Sequence, residues 1–404
     1  MIGRKQKERL IELYNFQKQA LEQASPSYFY AMDTGTGKTL TSLHHYLKYS
    51  RGEPLLIVAP PAVIKAGGWK REVERVGDNI EFEQLSYGKL SKDFEKYRNY
   101  FVIFDEAHYI KNPTSQRGKA ACKLARQSTH FVLLTATPMA NGWEDSINYF
   151  IMFGMARNKT QFLNKYAIYE DLYLGSRVVK KVSDFRFKEE LNGMFKKISV
   201  SVSKHEALDL PEITFDKVHF EKSKEYKTIE KDLVLNDIAF DSPPKLSAGL
   251  RYFANIVDKA EYIKEMAHNT TDNIIIFYQY TKELNFLKSV LQGKTIFEVN
   301  GGCTHLPPRD TWDNLHNSVT LVQYQAGGAG IELQYANIVI YHTPTYSYQD
   351  YAQSLGRAYR NGQNRKVTVY QFETTGTIEE HVWTALENKK DFSDKIYLET
   401  RLRA

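Results

Sequence analysis

Short runs that are almost wholly apolar punctuate the chain at intervals. They read YFYAM at 28–32, PLLIVAP at 54–60, YFVIFD at 100–105 and HFVLLT at 130–135. A second series follows with NIIIFY at 273–278, VTLVQY at 319–324, NIVIYH at 337–342 and VTVYQF at 367–372. Runs this short, without polar alternation, suit strands that are covered on both faces. The stretches between them carry helical spacing. Strands alternating with helices imply parallel sheets flanked by helices, an α/β doubly wound architecture. The two series predict two tandem domains of this kind, 1–200 and 257–404, with a cleft between them. Residues 201–256 are polar, lysine-rich and broken by Pro211, Pro243 and Pro244, and are read as a connecting, partly helical segment. No short internal repeat or low-complexity segment appears.

Composition narrows the class. The 404 residues are 42% hydrophobic and 25% charged, which suits a globular protein with real cores. The net charge of +6 is compatible with nucleic acid without requiring it. Two cysteines, Cys122 and Cys303, lie far apart, so neither a zinc site nor a disulfide framework is expected, and a reducing compartment fits. The first residues lack the apolar core of a signal peptide, and no apolar run approaches the roughly 20 residues of a membrane span. The expectation is a cytoplasmic chain with no membrane association.

Candidate chemistry begins after the first apolar run. Thr34, Gly35, Thr36, Gly37, Lys38 and Thr39 form a glycine turn between a strand and a helical pattern. Glycines let backbone N–H groups approach phosphate oxygens, and a helix N-terminus favours the anion. Lys38 can reach β- and γ-phosphates, and the Thr39 hydroxyl can hold Mg²⁺. Met32 stands where the general pattern has a further glycine. The stretch FVIFDEAHYIKN at 101–112 ends a buried strand in two adjacent acids. Like charges held this close need a cation or a hydrogen-bond network. With a nucleoside triphosphate upstream, Asp105 is the expected acid near Mg²⁺, and Glu106 is free to orient or deprotonate water.

DTGTGKT, DEAHYIKN and LTATPMANG, in this order, resemble the first motor domain of superfamily-two helicases. DEAHYIKNPTSQR is similar to the Swi/Snf-type branch of DNA translocases. LYNFQKQAL resembles the family's adenine-recognition motif, with Gln17 as its glutamine. LLIVAPPAVIKAGGWKRE, with Pro60, resembles a motif that touches the DNA backbone, and LSYGKL the one after it. NIIIFYQYTKELNFL and LVQYQAGGAGIELQYANIVIYHTP, with Gly327, Gly328 and Gly330, resemble motifs of the second motor domain. QSLGRAYRNGQ resembles the arginine-finger motif, and its Arg357 and Arg360 stand three apart, on one face if helical. GTIEEHVW resembles the family's closing segment. Two departures stand out. The stretch before DLP reads SVSVSKHEALDLP, with Lys204 alone where paired arginines are usual. The stretch YHTPTYSYQDYAQ lacks a tryptophan common in chromatin members.

The resemblance implies two RecA-like lobes and an ATP-dependent DNA translocase or helicase acting in replication, recombination or repair. ATP and Mg²⁺ are the implied cofactors. Lys38, Thr39 and Asp105 would hold them, Glu106 would activate water, and Arg357 and Arg360 would stabilise the phosphoryl charge. Thr135, Ala136 and Thr137 would link the nucleotide to the DNA face. Contacts would run to DNA phosphates without sequence preference. The chain is expected to act as a monomer, with replication or recombination proteins as further partners, and its length suggests a viral or bacterial factor. A nucleotide-switch ATPase, or the motor subunit of a restriction or nuclease complex, stands as the alternative. The many aromatics, 13% of the chain, suit core and cleft packing better than base stacking. His44, His45 and His108 lack the spacing of a metal site, and His108 belongs with the acid pair.

Overall fold

The computed structural model describes residues 12–77, 80–140, 142–174, 177–324 and 331–388. It divides into two compact units, 1–207 and 208–404.

The strands of the first unit are β1 (Tyr28–Met32), β2 (Leu55–Ala59), β3 (Phe82–Ser86), β4 (Phe101–Asp105) and β5 (His130–Thr135). A two-stranded hairpin, β6 (Ala167–Leu174) and β7 (Arg177–Phe185), precedes β8 (Ser199–Val202). The sheet runs β3-β2-β4-β5-β1-β8 with every neighbour parallel. Its unbroken apolar runs have a simple cause. Phe29, Leu56, Val58, Val102, Phe104 and Leu133 point into one core. Tyr28, Tyr30, Leu55, Ile57, Phe101 and Ile103 point into another on the opposite face. With helices on both faces, neither alternate set of side chains meets water, so both must be apolar. Helix α1 (Asn15–Gln23) precedes β1, and α2 (Lys38–Tyr49) follows it.

The second unit repeats the plan with β9 (Ile213–Phe220), a small hairpin β10 (Val234–Leu235) and β11 (Ile238–Ala239), then β12 (Ile274–Tyr278) and β13 (Thr295–Val299). It continues with β14 (Thr304–His305), β15 (Ser318–Gln323), β16 (Ile338–Tyr341) and β17 (Val367–Thr374). The order is β14-β13-β15-β12-β16-β17-β9, and only β13 and β14 pair antiparallel. Ile275, Phe277, Val339 and Val369 fill one face, and Ile274, Ile276, Leu321 and Ile340 the other. A buried ion pair ties the layers together. Lys259 Nζ lies 2.6 and 2.7 Å from the two Glu379 oxygens and donates to the His342 carbonyl at 3.1 Å.

The segment 201–256, read as a connection, is shared out between the units. Ser201 and Val202 end β8, whereas β9 pairs with β17 from Ile213↔Val367 to Phe220↔Thr374. As an edge strand β9 keeps a solvated side, and its ITFDKVHF pattern therefore looks polar. Among the described residues no helix is long and apolar enough to cross a membrane.

Candidate functional site

The turn between β1 and α2 takes its shape from two glycines with left-handed backbone. Gly35 has φ +84° and Gly37 φ +77°, conformations that cost other residues energy. Gly37 is also short of room, since a Cβ there would lie 2.2 Å from Gln17 Nε2. That amide belongs to α1. Its Nε2 donates to the Thr36 carbonyl at 2.9 Å and reaches the Gly37 carbonyl at 3.5 Å, while Oε1 accepts from Tyr14 N at 2.9 Å. Gln17 is buried, and in this structure it braces the loop from behind. The other side is tied to β8. Asp33 N donates to the Val202 carbonyl at 3.0 Å, and the Asp33 carboxylate accepts from Lys204 N at 2.9 Å. The stretch lacking paired arginines thus holds the loop with its main chain. Lys38 Nζ donates to the carbonyls of Met32 at 2.8 Å and Asp33 at 3.1 Å, and so lies folded against the loop. Thr34, Gly35 and Thr39 are half-buried, and Thr36 is buried.

The two acids end β4 and begin a short 3₁₀ helix, Ala107–Ile110. Asp105 Oδ2 accepts the Trp69 indole N–H at 2.8 Å, and Oδ1 accepts Glu106 N at 2.9 Å. Its carbonyl accepts the Tyr87 hydroxyl at 2.6 Å. Burial, and then the neighbouring Glu106 charge, push the Asp105 carboxyl up to about 6, although Trp69, Lys38 and the Glu106 N–H pull it down. Glu106 has φ +51°, an uncommon conformation for a residue with a side chain. Its Oε2 lies 3.3 Å from His108 Nδ1, which lies 3.3 Å from Thr135 Oγ1. Thr135 Oγ1 in turn accepts Thr137 N at 3.2 Å. A run of close polar approaches, both of those to His108 through Nδ1, therefore leads from Glu106 to the segment after β5. Pro60 follows β2 as the N-cap of the helix Pro61–Lys65.

The residues present fit a nucleotide with Mg²⁺. Gly35 and Gly37 keep the loop backbone in left-handed turns next to a helix N-terminus, with Gln17 filling the space behind it, and the Lys38 ammonium, Thr39 hydroxyl and Asp105 carboxylate are the groups available to phosphate and metal. The loop follows the C-terminal end of β1 and the acid pair ends β4, so both lie at the same end of the parallel sheet, with β5 between their strands.

In the second unit, Arg357 lies in the last turn of the helix Tyr348–Ala358, and Arg360 lies beyond its end. The helix stops as Tyr359 turns to donate its hydroxyl to the Pro211 carbonyl at 2.8 Å, and Gln363 Nε2 reaches the Ala358 carbonyl at 3.4 Å. The two arginines therefore do not share one helix face. Arg360 Nη2 lies 3.4 Å from Glu332 Oε1, and Arg309 Nη1 lies 3.4 Å from Glu332 Oε2. Gly327, Gly328 and Gly330 lie outside the described residues. Among the described residues no group of three or more histidines, cysteines or carboxylates is placed to hold a metal.

Three contributors went unmarked in the sequence: Trp69, Tyr87 and Glu332. Trp69 and Tyr87 stand inside motif-bearing stretches, yet nothing local shows that their polar atoms meet Asp105, 36 and 18 residues away.

The family model described as "SNF2-related domain" matches residues 82–229, and that described as "Helicase conserved C-terminal domain" matches 258–362. The chain is 25% identical over 440 residues to the putative ATP-dependent helicase/translocase YwqA of Bacillus subtilis, covering 91% of this chain and 46% of that protein. It is 25% identical over 433 residues to the uncharacterized ATP-dependent helicase MG018 of Mycoplasma genitalium, covering 94% and 41%. The chain spans less than half the length of these curated relatives. A solved structure, the Sulfolobus solfataricus SWI2/SNF2 ATPase core in complex with dsDNA, aligns over 94% of this chain and 92% of that one, at 20% identity and a TM-score of 0.45.

Proposed function

We propose that this chain, which belongs to the SNF2-type branch of the superfamily-two helicases, hydrolyses ATP at the glycine loop of its first unit and uses the cycle to move on or remodel DNA. The observation that carries this reading is the arrangement at one end of the first sheet: a braced glycine loop after β1 and the acid pair that ends β4, both at the C-terminal ends of parallel strands. Lys38, Thr39 and Asp105 would hold the nucleotide and Mg²⁺. The bound Mg²⁺ would neutralise phosphate charge, the chemistry that such an ion supplies in phosphoryl transfer.

The chain's own groups take the remaining roles. Glu106 Oε2, which lies 3.3 Å from His108 Nδ1, is assigned to accept the proton of the attacking water. The path Glu106–His108–Thr135–Thr137 is the assigned relay from the acid pair toward DNA-contacting residues of the first unit, Pro60 and Ala136 among them, and Gly327 is assigned a DNA contact by the resemblance alone. Arg357 and Arg360 are assigned to stabilise charge on the transferring phosphoryl group. Gln17 braces the loop and, by the resemblance, reads adenine. DNA would be gripped through its phosphates without sequence preference, and replication, recombination or repair is the setting proposed.

ATP turnover measured without DNA and with single-stranded, duplex and forked DNA tests the reading, together with Lys38→Ala. Stimulation by DNA, and its loss in a Lys38→Ala protein that melts like the wild type, are expected. Turnover indifferent to every DNA would replace the motor with a nucleotide switch. Normal turnover in Lys38→Ala would remove the site.

A further inference from the structure

The two faces of the first sheet lie under different helices. α2 packs on one through Leu43 and Tyr46. The helices Tyr87–Asp93 and Gln116–Gln127 pack on the other through Tyr87, Leu90, Ala121 and Leu124. The outer side of this second layer holds a cavity of about 360 Å³, and Lys92, Lys119, Lys123, Phe94 and Gln116 line it. Lys119 and Lys123, four apart, rise from one helix face, and Lys92 comes from the facing helix. Lys123 Nζ lies 5.2 Å from the Phe94 ring centre. The nearest acid in sequence, Asp93, is taken by Lys96 at 2.6 Å. Glu95 is exposed, and among the described residues no carboxylate forms an ion pair with Lys92, Lys119 or Lys123.

Three ammonium groups around one open cavity repel one another unless an anion lies among them. All three are exposed and on flexible stems, and no arginine fork lines the cavity. Such a set holds a small anion poorly, but suits an extended polyanion whose charges repeat. We infer that this cavity is a second contact for the sugar–phosphate backbone of duplex DNA, on the sheet face opposite the helix that follows the nucleotide loop. The inference rests on the DNA reading above. It would let the first unit keep hold of a duplex while the groups near the nucleotide change their own grip.

The test is the salt dependence of duplex DNA binding by the full chain, wild type against the triple variant Lys92→Ala, Lys119→Ala, Lys123→Ala. Each phosphate contact adds about 0.9 to the slope of log K against log salt, so the slope should lose about 2 to 3 in magnitude. A control variant, Lys224→Ala, Lys227→Ala, Lys231→Ala, loses the same charge from an exposed helix of the second unit and should keep the wild-type slope. ATP turnover without DNA should be the same in all three proteins. A wild type that binds no DNA would overturn the functional reading and the inference together. A wild type that binds, with an unchanged slope in the triple variant or an equal loss in the control, would overturn the inference alone.

Discussion

Trp69 offers the sharpest way to test the acid pair, because its indole donates to Asp105 at 2.8 Å while its ring is buried. Trp69→Phe keeps most of the apolar body and removes the donor. A hydrogen bond to a charged group is worth about 1.5–3 kcal/mol, and water would replace part of it at this half-buried carboxylate. Taking about 1.4 kcal/mol as the loss, the Asp105 carboxyl should rise from about 6 to about 7. The ionised fraction at pH 7 then falls from about nine-tenths to about half, and with it the affinity for Mg²⁺ with nucleotide. The sign for folding follows. A carboxyl raised above its unfolded value contributes stability that is present at low pH and lost as pH rises through the folded value, and in the variant that loss should shift upward. The assay is ATP turnover from pH 5.5 to 9 at fixed Mg²⁺. The acid limb of the variant should move up by about one pH unit and its rate should approach wild type near pH 8.5. An unmoved acid limb, or a loss equal at every pH, would refute the reasoning and leave Trp69 a packing residue.

Three further outcomes follow from the geometry. Gly37→Ala should lose nucleotide binding, read by fluorescent-nucleotide titration, because its Cβ meets Gln17 Nε2 at 2.2 Å and the φ of +77° strains any side chain; a strained site of this kind costs about 1–3 kcal/mol. Glu106→Gln should bind nucleotide and Mg²⁺ as the wild type does and yet lose turnover, and a drop in affinity instead would make Glu106 the principal acid beside the metal. Lys259→Met should lower the unfolding free energy obtained from denaturant titration by about 3–5 kcal/mol, because it leaves the Glu379 carboxylate buried without its cation.

Reading the sequence succeeds where one residue type answers one local demand. The two-faced strands required continuous apolar runs, and those runs mark β1, β2, β4, β5, β12, β15, β16 and β17. The glycine turn is visible because Gly35 and Gly37 meet a backbone need that few other residues meet. It fails where the demand is met from afar. β9 hides behind a solvated side, and only its pairing with β17 identifies it. Arg357 and Arg360 look like a helical pair, but the Pro211 carbonyl, 148 residues from Tyr359, helps to end the helix between them. Gln17 is visible as a glutamine before the loop, but its engagement with the Thr36 and Gly37 carbonyls is a tertiary fact.

The adjacent carboxylates show how these levels combine. Two acids at the end of a buried strand would repel each other, and burial would add to the cost. The protein's own groups already share that cost. Trp69 and the Glu106 N–H donate to Asp105, Lys38 adds a positive field, and His108 sits beside Glu106. These groups lower the Asp105 carboxyl without bringing it to the usual carboxylate range, so it stays at about 6. A site fully neutralised from within would leave little for a metal ion to gain. A site with no internal donors would stay protonated at neutral pH and repel the ion. The intermediate value leaves Asp105 mostly ionised at pH 7 and still short of positive charge, the electrostatic condition that its proposed role beside Mg²⁺ requires.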